Sequence, residues 1–155
     1  MTFESLKNSI SSEKDEATRI AVILDLGENK AEISRDLLMD KLSTLNSFVR
    51  DAIVISLVKI GDVEFLCSNL GHEHRYVRRG IVQALGQLGG VKACEVIVSC
   101  LDDEEWGVRM YSAEALGKVG SNKHIKLLKN LLNDEHEWPR KEAQKSIKKL
   151  SSFGK

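Results

Sequence analysis

The chain lacks a surplus of charge of either sign: its 155 residues carry 23 basic and 23 acidic side chains. A neutral total removes the simplest electrostatic basis for binding nucleic acid or a membrane surface, while leaving a local basic patch open. Proline is nearly absent, with a single residue, and aromatic residues make up only 5%. Three cysteines at irregular spacing, Cys67, Cys94 and Cys100, form no Cys-x-x-Cys pair. An odd set of such thiols argues against a disulfide framework and for a reducing compartment, so the expected location is cytoplasmic. No run approaches the roughly 20 apolar residues of a membrane helix, and Met1 to Lys7 show no basic stretch followed by an apolar one. Gly-x-Ser-x-Gly, Walker, His-Glu-x-x-His and dinucleotide-binding motifs are all missing.

What is there is a repeat. The pairs Thr18-Arg19, Val49-Arg50, Val77-Arg78, Val108-Arg109 and Pro139-Arg140 open similar stretches, with their arginines 31, 28, 31 and 31 residues apart. Seven residues after each arginine stands an aliphatic residue: Leu26, Leu57, Leu85, Leu116 and Ile147. With the residues before the arginine and three and ten after it, the apolar positions recur at steps of three and four, the stripe of an amphipathic helix. The five leucine and isoleucine positions are expected to form one buried column. Gly27, Gly86 and Gly117 share one offset on this face. Glycine inside a helix costs about 1 kcal/mol against alanine, so close helix approach is expected there.

Gly61, Gly89 and Gly120 follow the last aliphatic residue of the middle copies and predict left-handed caps. A shorter stripe then returns, Val91 to Leu101 in one copy and Asn122 to Leu132 in the next. Each copy is therefore a pair, a longer first helix and a shorter second one. Asp103 and Asp134 lie six residues before the next arginine, placed to accept N–H groups at the start of the following helix, and Pro139 suits the first turn of the last one. The expected fold is all-α, an α-α superhelix of about five helical hairpins in a single domain, 1–155. Its parts are an N-terminal capping helix over 1–13, repeats over 14–134 and a C-terminal capping helix over 135–155.

The segments Val77 to Gly89 and Val108 to Gly120 resemble the short HEAT-like repeat of the phycobilisome-lyase (PBS lyase) type. The resemblance implies a helical solenoid that binds another protein along its concave side, which it places on the second helices. The first copy departs from the pattern at Lys30, and the last lacks a second helix.

Candidate chemistry is sparse. His72-Glu73 and His136-Glu137 invite comparison with deoxyhypusine hydroxylase, whose paired His-Glu motifs hold iron within the first helix of a HEAT-like pair. The corresponding positions here are Arg79-Gly80 and Lys141-Glu142, and the two His-Glu pairs precede the arginine at unequal offsets, so loop histidines are the better reading and no metal or cofactor is expected. Cys94 and Cys100 fall where the next copy has Ile125 and Leu131, positions of buried small hydrophobes rather than activated thiolates. Phe48, Tyr76, Trp106 and Trp138 cluster just before the arginines and would pack on the preceding helix or form a ridge. The arginines, set beside Asp103 and Asp134, predict a ladder between repeats.

Charge is uneven along the chain: residues 1–120 carry 14 basic and 19 acidic side chains, residues 121–155 carry 9 and 4. Exposed second-helix positions hold Asp36, Asp40, Glu64, Lys92, Glu95, Lys123, Lys126 and Asn130, the expected partner-binding row, with Trp106 and Trp138 at its rim. The function this supports is a non-catalytic interaction module or scaffold for another protein, a regulatory or immunity-type binder being one variety. The alternatives are a subunit resembling the bilin lyases, for which no identifying residue set is present, and a nucleic-acid binder resembling the HEAT-like alkylpurine DNA glycosylases, which the acidic amino-terminal part opposes.

Overall fold

The computed structural model describes residues 8, 10, 15–29, 32–43 and 46–152. Nine α-helices and no strand occur among them: α1 (Glu16–Asn29), α2 (Glu32–Lys41), α3 (Ser47–Ile60), α4 (Val63–Ser68), α5 (Arg75–Leu88), α6 (Val91–Ser99), α7 (Trp106–Val119), α8 (Ile125–Asn130) and α9 (Glu137–Ser152). Short 3-10 turns extend α6 and α8 at Cys100–Asp102 and Leu131–Asn133, and another, Asn122–His124, leads into α8. The long helices α1, α3, α5, α7 and α9 are the five arginine copies. The capping helix expected over 1–13 lies outside the described residues except for Asn8 and Ile10, both helical.

The chain divides into two compact units, Met1–Asp62 and Val63–Lys155. In the first, α1 and α2 pack on α3 around Ile23, Leu26, Leu37, Leu38, Ile53 and Leu57, all buried. A Cβ on Gly27 would lie 2.7 Å from the Ser56 Cα, so the two backbones can approach only without that side chain. The Ser56 hydroxyl then donates to the Ile23 carbonyl at 2.9 Å, which satisfies a polar atom that close packing has cut off from water. Asn46 caps α3 by accepting the Val49 N–H at 3.0 Å.

The second unit places α5, α7 and α9 side by side, α5 against α7 and α7 against α9, with α4, α6 and α8 behind them. Glycine again sets the spacing. A Cβ at Gly86 would come within 2.6 Å of the Ala115 Cβ, and one at Gly117 within 2.3 Å of the Ser146 Oγ. Leu85 and Leu116 are fully buried, each contributing about 1.5–3 kcal/mol of apolar transfer. Ile147, the last member of the expected column, is only half-buried. It belongs to the copy with no second helix among the described residues.

All three glycines close their helices, each N–H donating to the carbonyl four residues back. Gly61 adopts the left-handed cap expected of it, with φ 75° and ψ 17°, whereas Gly89 shares only the positive φ, 70°, and has ψ −158°. Gly120 is extended, with φ −79°. Its glycine serves close approach instead, since a Cβ would sit 2.3 Å from the Leu116 carbonyl oxygen. Downstream, Ser121 and His124 form a reciprocal capping box that opens the next turn.

Candidate functional site

The arginine ladder is the most ordered polar feature of the second unit. Arg78 Nε and Nη2 donate to the Asp103 carboxylate at 2.8 and 2.9 Å, and Arg109 repeats the fork on Asp134 at 2.7 and 2.9 Å. Glu104 and Glu135 each accept a further bond, at 3.0 and 3.3 Å. The aspartates also accept N–H bonds from Glu105 and His136, both at 2.9 Å, which is the helix-start role expected of them. Hydrogen bonding to Asp103 raises the Arg78 pKa, and the bond to Asp134 does the same for Arg109. Burial pushes the Asp134 carboxyl up, but the Arg109 fork and the His136 N–H outweigh it and leave the pKa below the ordinary value. Both arginines are 8% exposed, so the rungs are structural and present no open cation to a ligand.

The partner-binding row divides by unit. Asp36 and Asp40 are exposed on α2 of the first unit, beside Arg35 and Lys41 at 3.6 and 3.3 Å. In the second unit Glu64 on α4, Lys92 and Glu95 on α6, Lys123 in the turn before α8, and Lys126 and Asn130 on α8 are all exposed, and Glu64 pairs with Lys92. Asn130 borders a depression of about 170 Å³ whose lining includes Leu101, Leu127 and the Arg109–Asp134 rung. Trp106 and Trp138 stand instead at the starts of α7 and α9, in the first-helix layer. Trp106 stacks on His136 with ring centroids 4.2 Å apart, and Trp138 is 48% exposed with the Lys141 Nζ 4.8 Å over its ring.

The exposed face of the first helices holds a second candidate surface that the sequence reading did not include. Between α5 and α7 runs a groove of about 240 Å³, walled by Gln83, Gln87, Tyr111, Glu114 and Lys118, with Gly86 and Ala115 among its lining. A smaller groove of about 60 Å³ lies between α7 and α9 over Gly117 and Ser146. The glycine contacts that draw the helices together thus lie along the grooves. At one end Arg79 donates to the Tyr111 hydroxyl at 2.7 Å and lies 4.4 Å over its ring, beside a hollow lined by Arg75, Tyr76, Glu105 and Trp106. Arg79 and Tyr111 sit at different offsets from their arginines, so the repeat gave no sign that they meet.

The remaining candidates have structural roles. Cys100 is buried, which pushes its thiol pKa up to about 11, and burial raises Cys67 and Cys94 as well. A thiol so displaced is protonated and inert at neutral pH. His72 accepts the His74 N–H at 3.0 Å and His136 accepts that of Trp138 at 3.4 Å, both as loop caps. Among the described residues no group of three or more His, Cys, Asp or Glu is arranged to hold a metal ion. No helix among them is long and apolar enough to cross a membrane.

A family model described as HEAT repeats matches residues 63–148. The chain also resembles a chain in the structure of the complex of CpcE and CpcF of phycocyanin lyase from Nostoc sp. PCC7120. The two are 20% identical, with a TM-score of 0.61 over 98% of this chain and 66% of that one. An engineered protein gives a TM-score of 0.55 at 18% identity, over 96% of this chain and 80% of its own. These likenesses show the fold. The chain spans 66% of the length of the lyase-complex chain. No curated protein matches the sequence.

Proposed function

The chain belongs to the HEAT-repeat family, and from that premise we propose that it is a non-catalytic protein-interaction module whose partner lies across the first-helix grooves of the second unit. The carrying observation is the pair of glycine contacts. They bring α5, α7 and α9 together extensively, while the second helices touch one another sparingly. Grooves lie along those contacts, which favours the first helices as the binding face rather than the second helices expected from the sequence. Composition supports the same face. Arg79, Tyr76, Tyr111 and Trp106 belong to the residue types that dominate binding energy, whereas the second-helix row offers exposed charges that contribute about 0–1 kcal/mol each. Those charges suit steering of encounter more than affinity. That a chain of similar fold is found in the CpcE–CpcF complex supports a protein partner.

Crosslinking in a native extract, followed by mapping of the linked lysines, tests the reading. Links through Lys118 and Lys145 with Lys92, Lys123 and Lys126 unlinked are expected; the opposite pattern would move the partner to the second helices. The same lyase complex favours a second reading, a subunit of a bilin-handling enzyme. Under it the purified chain, mixed with a tetrapyrrole and a biliprotein acceptor, would produce a covalently coloured product.

A further inference from the structure

Three successive arginines hold their loops in one manner. The Nη1 of Arg78 donates to the carbonyls of His72 and Glu73 at 3.0 and 2.9 Å, that of Arg109 to Asp103 and Glu104 at 2.7 and 3.1 Å, and that of Arg140 to Asp134 and Glu135 at 2.6 and 3.0 Å. In the first two, the opposite edge of the guanidinium is filled by an Asp-Glu pair that begins 25 residues downstream. The Nε–Nη2 edge of Arg140 makes no hydrogen bond to a carboxylate among the described residues; Glu137, one turn before it, feels its charge but pairs with Lys141. The loop bonds of Arg140 nevertheless fix the guanidinium in place, so little side-chain freedom is left to lose on binding.

The helix around it changes character in step. Four and eight residues after the arginine, the inner copies have the buried pairs Val82 and Gly86, then Ala113 and Gly117. In α9 the same positions are Gln144 and Lys148, both exposed. Arg140, Gln144 and Lys148 therefore form one polar stripe at four-residue spacing, and Lys148 has no ion pair among the described residues. An aspartate at this place would find a planar fork matched to a carboxylate, with a second cation two turns along.

We propose that Arg140 anchors a second docking surface, which binds an Asp-Glu turn at the end of a helix in an acidic partner protein. The partner's carboxylates take the positions toward Arg140 that Asp103-Glu104 take toward Arg78 and Asp134-Glu135 take toward Arg109. The surface shares no residue with the grooves, so either reading can fail alone.

The probe is a capped peptide with the sequence of residues 127–137, which ends a helix in Asn-Asp-Glu, titrated into the full chain while the arginine side-chain N–H resonances are followed by NMR. The expected result is a saturable shift of the Arg140 Nε–H, with affinity at least tenfold weaker for the Asn-Gln peptide, in which Asp134→Asn and Glu135→Gln are made, and for Arg140→Lys, which keeps the charge and loses the fork. Because Arg140 also holds its own loop, Lys148→Glu serves as the variant that leaves the loop bonds intact, and it should weaken binding about fivefold or more. Equal binding by Arg140→Lys, equal shifts with the Asn-Gln peptide, or the same shifts from inorganic phosphate alone would each overturn the proposal.

Discussion

The first and second helices of the Val63–Lys155 unit obey different rules. The first helices, α5, α7 and α9, run for 14, 14 and 16 residues and meet through glycines whose Cβ atoms would fall 2.3–2.6 Å from a neighbour. The second helices, α4, α6 and α8, run for 6, 9 and 6 residues and show charged side chains to water. One layer is specified sterically and tolerates almost no change of volume, because interiors are close-packed. The other needs only an apolar stripe on one side. Stability should therefore be concentrated in the first helices and in the ladder that ties their loops, with the second helices free to vary.

The largest effect should come from breaking a rung. Asp134→Asn removes the charge opposite a guanidinium that is 8% exposed, and should cost about 3–5 kcal/mol by urea unfolding. Its pH signature sharpens the point. The folded-state pKa of Asp134 lies below the ordinary aspartate value, so the unfolded chain takes up the proton first as pH falls. The rung's contribution is full above that value and is lost as pH drops through the lower folded pKa. The Asn variant should lack this part of the acid-induced loss, and identical acid profiles for both proteins would remove Asp134 from the account.

Next in size is the core contrast. Leu116→Ala should cost about 2–5 kcal/mol through lost transfer and the cavity left behind. Leu132→Ala, at a site 40% exposed in the turn after α8, should cost under about 1 kcal/mol. Equal costs would erase the distinction between layers. A smaller loss, about 1–3 kcal/mol, is expected for Gly117→Ala, since the added methyl lands on Ser146 and must push α9 away. The smallest effect belongs to the second-helix row: Lys123→Glu with Lys126→Glu should leave the thermal midpoint nearly unchanged, within about 0.5 kcal/mol.

This division also explains what could be read from the residues. The first helices were legible because their constraints recur at fixed offsets: Leu85 and Leu116 in the core, Gly86 and Gly117 at the contact, Arg78 and Arg109 on the ladder. Gly61 and Gly89 gave their helix ends for the same reason. Gly120 shares their position but an extended backbone, because close approach to a carbonyl and a positive φ both select glycine and leave the same letter in the sequence. Ile147 keeps the column's residue type without its burial. Val58 stands at the offset that Gly27, Gly86 and Gly117 occupy, so the glycine is not a constant of the repeat. The grooves were not legible, since they arise from the gap between neighbouring helices, and the Arg79–Tyr111 pair joins unequal offsets that no repeat would align.

The most direct test of the central claim, that the first helices form the binding face, compares two double variants against one captured partner. Arg79→Ala with Tyr111→Ala removes the cation-aromatic platform at the groove, while Lys123→Glu with Lys126→Glu inverts charge on the second helices. Equilibrium affinity measured by calorimetry should fall at least thirtyfold for the groove variant, while the lysine variant should lose less than fivefold and change chiefly in association rate and salt dependence. Unchanged affinity in the groove variant, with binding lost on lysine reversal, would contradict the assignment and return the partner to the second-helix row.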